Sequence, residues 1–166
     1  IIHYNKLELI DIIHKTRMEF IQFLDRVELE IIRMIEKIGY STEENTSLCL
    51  LGEKYVGFLK KREKKIIICT ENIKQKEGYT KLRSRDIDTF ERTARLIKKA
   101  LRHEAVHVAQ ECNDGNVLDI KKRLSMNPMK IEALKVSTMI SGEEEKEKQA
   151  YILEDKPKLL KKELKK

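Results

Sequence analysis

Only two prolines interrupt this chain of 166 residues, and no apolar run in it approaches the length of a membrane span. The first scarcity favours helix, because proline removes a helix hydrogen bond and clashes with the preceding turn. The second excludes a transmembrane helix, which needs roughly 20 consecutive apolar residues. No signal-peptide pattern opens the chain, and cysteines number only three. Together these predict thiols in the cytoplasm or another reducing compartment rather than a disulfide framework. The first residue is isoleucine rather than methionine, as expected of a trimmed or processed segment. Aromatics are absent from the basic stretch that starts at Lys156, where much of the excess behind the net charge of +7 lies. Basic charge without aromatic interleaving reads as a solvated lysine surface, so nucleic acid is not the expected partner. What remains is 38% charged and 40% apolar residues. That mix, at this length, predicts a helix-rich domain with a real core.

Histidine is scarce as well, at four residues, yet two of them stand four apart in His103-Glu104-Ala105-Val106-His107. Positions i and i+4 lie on one face of an α-helix, so both imidazoles can bind one Zn²⁺. Glu104 then sits beside the metal's open position, where a carboxylate can take a proton from zinc-bound water. One Zn²⁺ per chain is the cofactor this motif predicts. The plainer alternative is a helix with two hydrogen-bonded, partly buried histidines and a surface glutamate. Context favours the metal. Phe90, Ala94, Ile97, Leu101, Ala105 and Val108 recur at helical spacing, and Leu96, Ala100 and Val106 add apolar surface outside that stripe. Such a helix is buried on more than one side. Asp86, Asp88 and Thr89 supply caps at its start, and Gly115 marks its end.

The rest of the chain predicts a mostly helical α+β fold with a small antiparallel sheet. Residues 5 to 38 read as one long or broken helix on Ile10, Ile13, Phe20, Leu24, Val27, Ile31, Met34 and Ile38, with Arg17 interrupting the series and Gly39 ending it. It packs on the domain or mediates self-association. His3 and His14 within it read as ordinary surface or boundary residues. Residues 40 to 47 read as a loop. Leu48 to Leu51, Tyr55 to Leu59 and Ile66 to Cys69 are apolar runs of strand length. Glu71 to Arg85 reads as a flexible connection. Short helices are expected at Val117 to Leu124, Met129 to Ile140 and Glu147 to Leu153, with a basic tail opened by Pro157 that frays at its end. The expected layout is an N-terminal helix over 1–40, a catalytic domain over 41–155 and a tail over 156–166.

A catalytic zinc needs three protein ligands and one open position. No histidine follows His107, and Gln110 stands where the H-E-x-x-H-x-x-G-x-x-H pattern needs glycine, so that pattern is excluded. A downstream carboxylate is required, and Glu143, Glu144, Glu145, Glu147, Glu154 and Asp114 are the candidates. Glu147 opens an apolar helix face formed by Ala150, Tyr151 and Leu153. Glu143 to Glu145 read as a solvated acidic cluster at a helix start, and Glu154 as a group that supports a ligand.

Ile66-Ile67-Ile68-Cys69, a polar linker, then Leu101-Arg102-His103-Glu104-x-x-His107 and Cys112 resemble the glutamate-zincin peptidases. Within them the order is distantly similar to the mitochondrial intermembrane-space metalloproteases that assist ATP synthase assembly. The resemblance spans about residues 64 to 154. It implies a minimal zincin-like domain whose third ligand is the glutamate of a Glu-x-x-Ala pattern, matched here by Glu147-Lys148-Gln149-Ala150. The family's asparagine two residues after the strand cysteine has no match, which implies a distant relative rather than a counterpart.

The expected activity is therefore zinc-dependent hydrolysis of a peptide or protein substrate. His103, His107 and Glu147 hold the metal and Glu104 is the general base. A substrate strand would pair with a sheet edge at Ile66, Ile67, Ile68 and Cys69, and Tyr151 is a candidate oxyanion donor. Cys69 and Cys112 read as structural cysteines that would pair with each other only in an oxidising compartment. Two rivals stand beside this expectation. One is a zincin that binds zinc without cleaving. The other is a helical module that binds protein or nucleic acid, with an incidental H-E-x-x-H.

Overall fold

In the computed structural model, which describes residues 18–80, 85–121 and 124–166, the fold is mostly helical α+β. Six α-helices and a three-stranded sheet are present among the described residues. Their arrangement follows from the helix that carries the H-E-x-x-H motif, here α3 (Ile87–Cys112). Asp86 caps its start by accepting from the Asp88 amide and the Thr89 hydroxyl. Gly115, at φ +73°, takes the left-handed conformation that stops it, and its amide donates back to the Gln110 carbonyl. Ala94, Ile97, Leu101, Ala105, Val106, Val108 and Ala109 are all buried. They point in more than one direction around the helix, so other elements must pack on several sides of it.

Before α3 come a 3-10 turn (Glu19–Phe23) and α1 (Arg26–Lys37). The N-terminal helix is thus broken at Leu24, where Asp25 and Glu28 form a capping box that starts α1 afresh. Ile31, Ile32 and Ile35 bury α1 among α3, the sheet and the C-terminal helix. His3, His14 and the rest of residues 1–17 lie outside the described residues.

The sheet consists of β1 (Ser41–Glu44), β2 (Gly57–Lys60) and β3 (Lys65–Ile68) in the order β1-β3-β2. It is mixed rather than antiparallel, because β1 runs parallel to β3 and only β2 runs antiparallel to it. The polar stretch that makes β1 reads as loop from its side chains. Its place is set by distant partners. The Glu44 carboxylate accepts from the Phe20 amide at 3.1 Å and the Thr70 hydroxyl at 2.7 Å. Leu48 to Leu51, expected as strand, is a 3-10 turn. A disulfide joins Cys49 to Cys69, and the Asn72 amide donates to the carbonyls of Cys49, Gly52 and Tyr55. These ties hold the turn closed. Cys69 is therefore paired with Cys49 and not with Cys112, which is free and exposed. Ile66, Ile67 and Ile68 are fully buried in the central strand. Their backbone groups are shared between β1 and β2, so they offer no edge to a substrate. The edge strand that contacts α3 is β2.

Three further segments differ from expectation. Residues 70–77 form α2 (Thr70–Glu77), anchored by buried Ile73 and capped by Gly78 at φ +67°, rather than a flexible connection. Residues 117–121 are irregular instead of helical, and Leu118 is tied to Gln149 by two hydrogen bonds. After the turn Pro128–Lys130 come α4 (Ile131–Ser141), α5 (Glu144–Leu153) and α6 (Pro157–Glu163). The segment expected to fray at its end instead docks as α6, because Leu160 and Leu164, four apart, both enter the core. Among the described residues no helix is long and apolar enough to cross a membrane.

Leu160→Ala is expected to cost about 2–5 kcal/mol, the range for emptying a buried leucine site, in guanidinium unfolding. A tail that only brushes the surface would give a change within about 0.5 kcal/mol.

Candidate metal centre

His103 and His107, one turn apart on α3, turn their imidazoles toward α5, with ring centroids 5.0 Å apart. α5 runs back along α3 and delivers Glu147. Its Oε2 lies 3.2 Å from His103 Nε2 and 3.5 Å from His107 Nε2. The ligating atoms of all three residues lie within 4.8 Å of one another. Tetrahedral zinc with bonds of about 2.0–2.1 Å spaces its donors roughly 3.3–3.4 Å apart. The two imidazole-to-carboxylate distances are close to that spacing, and the three side chains together could hold a metal ion.

The opposite ring nitrogens decide which way the imidazoles present themselves. His103 Nδ1 is 2.9 Å from Glu154 Oε2, and His107 Nδ1 is 2.9 Å from Gln110 Oε1. Both partners are acceptors, so each Nδ1 carries a proton and each Nε2 faces Glu147. The amide orientation of Gln110 is fixed in turn. Its Nε2 donates to the Lys146 carbonyl at 3.1 Å and to Gln149 Oε1 at 3.0 Å. Gln149 completes the chain by accepting from the Leu118 amide and donating to the Leu118 carbonyl. On the other side, buried Lys130 donates to Glu154 Oε1 at 2.7 Å and to the Tyr151 carbonyl at 2.8 Å.

Electrostatics follow from this crowding. Burial works against a charged His103, but hydrogen bonds to Glu147 and Glu154 outweigh it and carry its pKa up to about 10. Burial likewise works against an ionised Glu147, yet the imidazoles of His103 and His107 hold its carboxyl far below the usual range. Glu104 is pushed up by burial, against the pull of His107 and His103. Tyr151 is carried to about 12, mainly by burial, so its hydroxyl stays protonated. That hydroxyl lies 2.8 Å from Ser137 Oγ, and its ring stacks edge-on at 4.5 Å from the His103 ring.

His103, Glu104, His107, Glu147, Tyr151 and Glu154 all line one cleft of about 440 Å³. Glu104 presses on β2 at Gly57, where an added Cβ would stand 3.2 Å from both its Cγ and its Oε1. Ile66 to Cys69 do not line the cleft. Of the other carboxylate candidates, Glu143 pairs with Lys146 and Lys61, Glu144 and Glu145 are exposed, and Asp114 sits in the exposed turn after α3. Sequence reasoning passed over Gly57, Gln110, Lys130 and Gln149. Only Gln110 carried a usable signal, three residues beyond His107 on the same helix face.

The model of a domain of unknown function, DUF8637, matches residues 20–166, which include every residue of this site. No curated protein and no solved structure matches the chain.

Lys130→Ala would strip Glu154 of its cation inside the protein. A loss of about 3 kcal/mol or more in unfolding free energy is expected, against less than about 0.5 kcal/mol for the exposed Lys135→Ala.

Proposed function

The chain belongs to the DUF8637 family of domains of unknown function, and from its His103–His107–Glu147 centre we propose that it is a zinc-dependent metallopeptidase. One observation carries the proposal. Three ligating atoms lie within 4.8 Å of one another, with both imidazoles oriented by acceptors on Nδ1 and a buried carboxyl group, Glu104, in the same cleft. A bundle of merely satisfied histidines would not need Glu104 beside an accessible cleft.

Bound by His103, His107 and Glu147, Zn²⁺ supplies Lewis-acid polarisation of water and of the scissile carbonyl. Glu104 takes the proton from the attacking water and later returns it to the leaving amine. Burial raises its pKa, which makes the ionised carboxyl a stronger base than an exposed glutamate. The Tyr151 hydroxyl is a protonated donor in the cleft. The substrate main chain is expected at β2 rather than at Ile66 to Cys69. The Cys69 amide donates to the Val56 carbonyl, which in this antiparallel register leaves Gly57 and Leu59 facing the free edge with their N–H and C=O groups. An extended peptide adding there would lie beside Glu104.

Metal analysis of the purified protein is expected to give about one zinc per chain, lost in His107→Ala. Glu104→Gln should keep the zinc and lose roughly 10²–10⁴-fold in hydrolysis of denatured protein substrates. Folded protein that takes up no zinc, or unchanged hydrolysis in Glu104→Gln, would exclude this chemistry. Gln110→Ala should weaken zinc binding by about 10–100-fold in a chelator competition, since it frees the His107 ring to rotate.

A further inference from the structure

α4 buries a single residue, Leu134, and its packing partners are α5 and the Pro128–Lys130 turn. Yet it carries a regular stripe. Ala133, Val136, Ser137 and Ile140 fall at i, i+3, i+4 and i+7, the spacing that gives a helix one continuous face. In most helices such a face is turned to the core. Here it lines the cleft that holds His103, Glu104 and Glu147. Leu96 and Ala100 of α3 also line it, on the N-terminal side of His103. The stripe is one side chain away from the centre, since Ser137 bonds the Tyr151 hydroxyl and the Tyr151 ring packs on His103. Val136 is half-buried and Ile140 is 55% exposed. Of the five lysines that rim the cleft, Lys61, Lys99 and Lys146 are paired with carboxylates, while Lys54 and Lys76 lie at other points of the rim, away from the α4 stripe in sequence.

We propose that α4 is the specificity wall of this cleft, and that Val136 and Ile140 select peptides with a bulky apolar side chain next to the bond to be cut. The inference rests on the peptidase reading for its substrate class. Its physical basis is separate: apolar surface that stays wet until a ligand covers it favours an apolar ligand group. The free edge of β2 would hold the main chain with little regard to sequence, and the wall would supply the choice.

The test uses binding, so that it stands apart from hydrolysis. Two fluorescein-labelled eight-residue peptides, alike except for leucine or serine at the fourth position, are titrated by anisotropy into zinc-loaded Glu104→Gln protein. The leucine peptide is expected to bind about tenfold tighter or better. Val136→Asp should erase that gap, and Ile140→Asp should reduce it. Val136→Phe keeps the wall apolar but narrows the cleft, and should move the preference from leucine to alanine in a third peptide. Equal binding of the leucine and serine peptides, no binding of either, or a leucine preference that survives both aspartate variants would overturn the wall. Cleavage of the same peptides by the unsubstituted chain is followed in parallel. Apolar-selective binding without any cleavage would leave the wall standing and remove the peptidase reading.

Discussion

Two imidazoles and two carboxyl groups, His103, His107, Glu147 and Glu154, share the space between α3 and α5, and they can do so only because their polar atoms find partners. An unpaired buried charge is costly, so a cluster of this kind is stable only as a complete network. His103 is held by Glu147 and Glu154, Glu154 by Lys130, His107 by Gln110, and Gln110 by Gln149 and the Lys146 carbonyl. Every link but His107–Gln110, which lies within α3, also ties one segment to another. The network reaches from α3 across α5 to the turn before α4 and to the irregular stretch at Leu118. The arrangement of the C-terminal half of the protein is thus bound up with satisfying one polar site.

Parts of this were legible in the sequence, for reasons that are local. The span of α3 follows from apolar periodicity and from Asp86 and Gly115 at its ends, which act over a few residues. Glu147 stood out among the acidic residues because Ala150, Tyr151 and Leu153 define the buried face that it opens. Glu154 follows about two turns later on the same side. What escaped was non-local. β1 has no apolar pattern and exists because β3 needs a partner on its other side. Lys130 and Gln149 look like ordinary polar residues until their partners, 24 and 31 residues away, come into contact. Cys49 was overlooked as the partner of Cys69 because its run reads as strand, whereas the turn brings the two together. The C-terminal segment misled through composition. Its lysines suggested solvent, but Leu160 and Leu164 set its position.

The cleft is built asymmetrically. One wall is β2 with α3, both pinned to the core, and the other is α4, which has little core of its own. Elements with few buried contacts have low local stability. His103, Glu104, His107 and Glu147 sit on the firm wall or on α5, while the apolar stripe sits on the loosely held one. A cleft divided in this way keeps its histidines and carboxyl groups fixed while the wall opposite them is free to adjust.

Gly57 sets the scale of that firm wall. With no side chain there, the Glu104 carboxyl rests directly on the strand; an added Cβ would stand 3.2 Å from its Cγ and its Oε1, so the carboxyl would have to move away. The glycine therefore acts as a spacer defined by what it omits. It lets the acid lie against the strand's backbone, so that at this one point strand and helix meet with only the glutamate's own side chain between them.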